Sequence, residues 1–261
     1  MEALMQQLPA LVAAVIWPFC RFAAAFAAAP ILGEAMIPMR GRALIALALA
    51  VVSQPAMPAM PAVDPVSLPG VALMAEQVMI GGLLGFAFHL VLSGLMVLGT
   101  MISSQMGLSM AMMNDPVNGA PSDAMSSLLY VLFVLLFFSM DGHLVVTQVL
   151  ARSFQIWPVG GTGLDAASLQ RMAHGVGWVF AVALMMALPV VFAILVVQMG
   201  MGFLNRVAPT LNLFSLGFSI TTVFGLLLVT ALLPAVPEHF GRMMTHVLDL
   251  LDSLAARGAK A

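Results

Sequence analysis

Charge is what this sequence has least of. Its 261 residues include 9 Lys and Arg and 11 Asp and Glu, 8 % of the chain, where soluble proteins carry about 25 %. One lysine, Lys260, occurs near the end, and no Lys or Arg lies between Ala43 and Leu150. A soluble fold needs a charged surface that this chain lacks. A net charge of −2 gives no purchase on nucleic acid or any strongly charged partner. Cysteine is nearly missing as well: Cys20, between Phe19 and Arg21, has no second thiol to pair with and reads as a small buried hydrophobe. What remains is 62 % hydrophobic residues, 23 of the 261 being methionine, the composition of a polytopic membrane protein.

A spanning helix needs about 20 mostly apolar residues. The apolar units are Leu8–Leu32, Ala43–Val52 (too short to cross alone), Val71–Ile102, Leu128–Ala151, Met172–Leu204 and Leu211–Val236, then an amphipathic tail. All read as helices, because an open strand edge cannot go unsatisfied in lipid. Four or five could span. Ser53–Gly70 carries Pro55, Pro58, Pro61, Pro65 and Pro69, which favours an extended link. Ser103–Ser127 and Arg152–Arg171 are the other connectors of note, and neither can house a nucleotide-binding domain. Gly160-Gly161-Thr162-Gly163 lacks the Gly-Lys-Ser/Thr of a phosphate loop and reads as a turn. Met1–Leu8 has no basic residue, and cleavage after Ala29 would leave Pro30 first, so the N-terminal segment is expected to stay in the mature chain. Arg40 and Arg42 place their connector inside. Beyond them, simple alternation puts the remaining basic residues on opposite sides, so the chain is not expected to be a freestanding bundle.

Arg21, near the middle of an apolar helix, costs about 2.5–3.5 kcal/mol on insertion scales and calls for a partner or a polar interior. Glu76 and Asp141 are the acids available in other segments. A structural ion pair or a contact with another subunit is one reading; a proton relay with His89 or His143 is the sharper one. Asp141-Gly142-His143 splits its apolar unit in two and predicts a helical hairpin. Asp-x-His could lend two metal ligands, but no third is evident. Gly107-Leu108-Ser109 approaches an intramembrane serine-protease motif, yet Met110 replaces its second glycine. Neither a metal, a cofactor nor an enzymatic activity is expected.

The stretch Met101–Met125 holds Met101, Met106, Met110, Met112, Met113 and Met125, and breaks at Asn114-Asp115-Pro116 and again at Gly119–Pro121. Methionine is unbranched and polarizable, and closes around surfaces of varied shape. The stretch reads either as a methionine-rich membrane boundary or as a deformable seal in a passage. Asn205-Arg206-Val207-Ala208-Pro209-Thr210 joins two long apolar units, which predicts an antiparallel hairpin with a basic tip, its first arm weakened at Pro189.

Four ordered motifs carry a family resemblance. Trp17-Pro18-Phe19-Cys20-Arg21 with Ala29-Pro30-Ile31-Leu32-Gly33-Glu34, Ile37-Pro38 and Arg40-Gly41-Arg42 resembles the N-terminal signature of the FliR family of flagellar type III export-gate proteins. Gln105-Met106-Gly107-Leu108-Ser109 through Asp115-Pro116 resembles its central motif. Asp141-Gly142-His143, with Ser153-Phe154 and Pro158-Val159-Gly160, resembles the next. Leu204-Asn205-Arg206-Val207-Ala208-Pro209, with Leu211-Asn212-Leu213-Phe214 and Gly217-Phe218, is the most specific. Family members often have aromatic residues where Met110 and Met113 stand, Gln at Thr210 and His at Leu144. The FlhB-like extension fused to some members is not among these residues.

The resemblance implies an all-α integral membrane protein of broken helical hairpins. Residues 1–171 would be a FliP-like part with a plug loop near 106–122, residues 172–240 a FliQ-like hairpin, and 241–261 an amphipathic tail. It implies a gate built with FliP and FliQ, with FlhB nearby, in the bacterial inner membrane at the flagellar basal body. Unfolded flagellar proteins would be the passengers, driven by the proton-motive force and a separate ATPase, and much apolar surface would face other subunits as well as lipid. Met106, Met110, Met112, Met113, Asn114, Asp115 and Pro116 would form the plug. Arg21, Arg40, Arg42, Glu76, Asp141, His143, Asn205, Arg206 and Pro209 would serve interfaces or structure. An injection-device homologue, or a secondary transporter using Arg21, Glu76, His89 and Asp141, is the competing reading.

Overall fold

The computed structural model describes residues 2–33, 37–61, 63–108, 124–161, 166–207 and 213–258. All regular structure among them is helical: α1 (Glu2–Ala28), α2 (Met39–Val52), α3 (Leu68–Met106), α4 (Ala124–Ser139), α5 (Gly142–Ile156), α6 (Ala166–Val207), α7 (Leu213–Leu232) and α8 (Val236–Gly258). Short 3-10 turns at Gln54–Ala56 and Leu233–Ala235 complete it, each with proline in its first turn, where a missing N–H costs nothing.

The boundaries refine the expected units. Pro69 falls in the first turn of α3, where proline is tolerated, so the extended connector ends near Ser67. Pro189 lies inside a single α6 of 42 residues, which removes one backbone bond without ending the helix. The amphipathic tail lies within α8, which begins at Val236. The helix buries Val236, Phe240, Met243, Val247 and Leu251 at helical spacing and exposes Glu238, Arg242, Asp249 and Asp252.

Among the described residues, three stretches are long and apolar enough to cross a membrane: Leu68–Met106, Leu169–Val207 and Leu216–Ser253. Ala14–Ala28 of α1 adds a further apolar helical stretch among the described residues. The break at Asp141 bends α4 against α5 by 66°, turning the chain without reversing it; counted as one bent span, the pair brings the total to four. The reason is local. Asp141 takes a single left-handed step (φ 55°), and its carbonyl at once accepts from the N–H groups of Leu144 and Val145, so α5 restarts without a loop.

The chain gathers into two compact units built from interleaved stretches. One comprises Met1–Leu90, Phe137–Gly175 and Met244–Ala261; the other comprises Val91–Leu136 and Val176–Met243. In the first, α1 packs on α2 and α5, and Phe22 stacks near Phe26 and Phe154 with ring centroids 6.3 and 5.9 Å away. In the second, Phe133 of α4 meets Phe240 of α8 edge to face at 5.5 Å, and Leu95, Leu98 and Ile102 of α3 are buried.

Candidate functional site

The first unit holds a fully buried cation. Trp17, Arg21 and Ala25 recur every four residues along α1, so all three face inward, and the Arg21 side chain has no exposed surface. A buried guanidinium is tolerated only when its donors are satisfied. Nε donates to Oε1 of Gln77 at 2.8 Å and Nη2 donates to the same oxygen, so the amide is gripped by a fork. Nη1 donates to Oγ of Ser153 at 3.0 Å, and Nη2 also donates to the Trp157 carbonyl at 2.8 Å. Ser153 passes its own hydrogen to the Leu150 carbonyl at 2.7 Å. The guanidinium carbon lies 3.9 Å from the centroid of the Phe154 ring, a cation–π contact.

The expected acidic partner is therefore replaced by neutral oxygens. Glu76 precedes Gln77 on α3 but points Oε1 into a buried position with no hydrogen-bond partner, and makes no direct ion pair with Arg21. Asp141 is exposed at the start of α5, where its side chain forms no cap bond. His89 stands thirteen residues past Glu76 on the same helix, about 20 Å along its axis. His143 packs its ring 5.5 Å from Phe138 and leaves Nδ1 unpartnered. The groups a secondary transporter would need are not brought together.

Why Arg21 reaches Gln77 is written in the backbone. A β-carbon built at Gly81 would fall on the Arg21 carbonyl oxygen, and one at Gly85 on that of Ala25. Gly81-x-x-x-Gly85 thus lets α3 run against α1 with backbones touching, the small-residue crossing used between membrane helices. Gln77 sits one turn earlier on the same face. The Gly-x-x-x-Gly spacing that signals this crossing is present in the sequence itself.

In the second unit, the Gln105-Met106-Gly107-Leu108 motif is a helix stop. Gly107 has φ +79°, its N–H donates to Ser104 at 3.2 Å, and the N–H of Leu108 donates to Ser103 at 3.1 Å. This is the Schellman pattern, which requires a left-handed residue just past the helix. The stop is bolted in place. Met106 is fully buried against Gly225 of α7, Thr222 donates to its carbonyl at 3.4 Å, and Gln105 and Gln198 exchange bonds of 3.2 and 2.9 Å. Gly107→Val should lower stability by about 2 kcal/mol, since φ is unfavourable and the Phe218 ring lies 3.2 Å from the new β-carbon. Thermal unfolding of the solubilised chain measures it; an unchanged midpoint would refute the role of the stop.

Of the proposed plug residues, only Met106 is among those described. Met110, Met112, Met113, Asn114, Asp115 and Pro116 lie outside the described residues, as does Pro209. Arg40 is exposed on α2, and Arg42 donates from Nε to the Ile37 carbonyl at 2.9 Å. Asn205 and Arg206 are exposed in the last turn of α6, where a cation suits the helix dipole. Among the described residues, no three His, Cys, Asp or Glu side chains gather as a metal site would require.

Long apolar helices pinned by backbone crossings, with a cation sealed among neutral acceptors, define an all-α integral membrane protein. Its residues 12–247 match the family model described as bacterial export proteins, family 1, and the chain belongs to that family. It is 32 % identical over 239 residues to the flagellar biosynthetic protein FliR of Pectobacterium carotovorum subsp. carotovorum, covering 91 % of each chain. FliR of Escherichia coli strain K12 is 31 % identical over 238 residues, again 91 % of each. The Yop proteins translocation protein T of Yersinia pestis is 24 % identical over 239 residues, 90 % of this chain and 91 % of that one.

Proposed function

We propose that the chain is a non-enzymatic subunit of the flagellar type III export gate in the bacterial inner membrane, at the basal body. It assembles with FliP and FliQ, beside FlhB, into the closed pore through which unfolded flagellar proteins leave. Residues 1–171 form its FliP-like part, 172–240 its FliQ-like hairpin and 241–261 its tail. The observation that carries this reading is the likeness to FliR proteins over nine-tenths of both chains, with the four motifs in order. The Schellman stop at Gly107 supports it further: a rigid, bolted exit from α3 is what a loop needs if it is to hold a fixed place in a pore. The methionines that follow then form a soft plug that keeps ions back until a passenger displaces it.

Surface exposure supports a multi-subunit setting. Of the apolar window in Leu216–Ser253, 17 % of residues are buried, against 61 % in Leu68–Met106. The uncovered faces of α6 and α7 must meet lipid or other subunits. Co-expression with FliP and FliQ is expected to give one complex of defined mass by native mass measurement, and a stable monomer with transport activity of its own would overturn the gate reading. In that complex, Met110, Met112 and Met113 all changed to Ala should raise ion conductance across reconstituted bilayers. Unchanged conductance would remove the plug from these residues while leaving the gate.

A further inference from the structure

The first unit contains a cavity of about 290 Å³ that the export reading does not use. Most of its lining is apolar: Leu84 of α3, Val145 and Val149 of α5, Leu248 and Leu251 of α8, and Trp157. Its rim is different. Gln148 and Arg152, one turn apart on α5, and Asp252 on α8 all line it and are exposed. None of the three side chains has a hydrogen bond or ion pair among the described residues. Opposite charges thus line one cavity without pairing with each other, beside apolar side chains.

We propose that this cavity binds a zwitterionic aminophospholipid of the phosphatidylethanolamine type. Part of an acyl chain fills the apolar slot, the phosphate meets the Arg152 guanidinium and Gln148 amide, and the ammonium meets Asp252. A purely anionic lipid satisfies Arg152 but sets its charge against Asp252. A soluble phosphate leaves the slot empty. Arg152 lies in the last turns of α5, and Trp157 follows that helix just before the turn at Pro158–Gly161. The site is also tied to the buried cation, because Ser153 and Trp157 line the cavity and accept from Arg21. The inference needs a membrane protein only, and stands whether or not the gate reading holds.

The test uses the full chain in detergent micelles, titrated with phosphatidylethanolamine or phosphatidylglycerol bearing brominated acyl chains. Tryptophan fluorescence is read in the native chain and in Trp157→Phe, so that the difference isolates Trp157. Half-quenching of Trp157 should need about fivefold less phosphatidylethanolamine than phosphatidylglycerol, the scale of one basic-residue attraction near a membrane surface. Arg152→Gln should raise the amount needed for both lipids by about fivefold, with Arg152→Lys restoring most of it. Asp252→Asn should abolish the preference between them. Glycerophosphoethanolamine, the head group without chains, should not compete. Equal quenching by both lipids that ignores Arg152→Gln would identify ordinary boundary lipid and overturn the proposal. So would competition by the chainless head group, or a preference for phosphatidylglycerol. The combined emission of Trp17 and Trp178 in the Trp157→Phe background reports that each variant keeps the fold.

Discussion

Arg21→Ala is expected to lower the stability of the solubilised chain by about 4 kcal/mol, a loss reached by few single substitutions. The change strands the Gln77 amide oxygen, the Ser153 hydroxyl and the Trp157 carbonyl in a dry interior and removes the contact with Phe154. Each orphaned acceptor costs about 1–3 kcal/mol, and the cation–π contact adds about 2 when desolvated, with incomplete additivity. Arg21→Lys keeps the charge but not the fork, so it should recover less than half. The sharper check is Gln77→Leu in the Arg21→Ala background. It removes an orphan and should restore part of the loss, as an acceptor without a donor is worse than none. Unfolding in denaturant reads all four proteins, and an Arg21→Ala chain as stable as the parent would refute the cage.

Gly81→Val is expected to cost at least about 3 kcal/mol, while Gly82→Ala, one residue away, should be neutral or stabilising by up to about 1 kcal/mol. The first β-carbon would fall on the Arg21 carbonyl oxygen and lie 2.9 Å from its carbonyl carbon. That neighbour is backbone and cannot rotate aside, so α1 and α3 must separate, and the Arg21–Gln77 bond breaks with them. At Gly82 nothing lies within 4 Å of the new atom, and alanine gains helix propensity at no steric cost. The pair discriminates a true backbone crossing from a general intolerance of larger residues in α3. Equal losses at both positions would remove the crossing from the account.

The helices were readable because apolar runs of spanning length leave few alternatives, and the break at Asp141 announced itself through Asp-Gly. The partners of Arg21 were not. Matching an arginine to a carboxylate is a rule of charge type, whereas the fold supplies neutral oxygens from Gln77 and Ser153, 56 and 132 residues away. Position decided the outcome: Gly81 and Gly85 bring α3 against α1 at the turn that carries Gln77, and leave Glu76 to one side. The Gly-x-x-x-Gly spacing could have been recognised beforehand. The role of Gly107 was legible in part, since Met-Gly at the end of an apolar run is a helix-stop signal. Its bolting through Gln198, Thr222 and Gly225 depends on helices far along the chain. The amphipathic helix α8 opens at Val236 with Pro237 in its first turn, where proline is tolerated.

The cage around Arg21 has a consequence for time. The acceptors that seal it follow it by 56, 132 and 136 residues, so a ribosome making about 5–20 residues per second delivers the last of them roughly 7–27 s after Arg21 itself. For that interval the guanidinium is a charge without its housing. An N-terminal segment in this state cannot rest in lipid at no cost, and it waits in water or at the insertion machinery until α3 and then α5 arrive. The first unit therefore closes late, from its distant segments inward, and the speed of synthesis sets how long its least lipid-compatible residue stays open to misplacement.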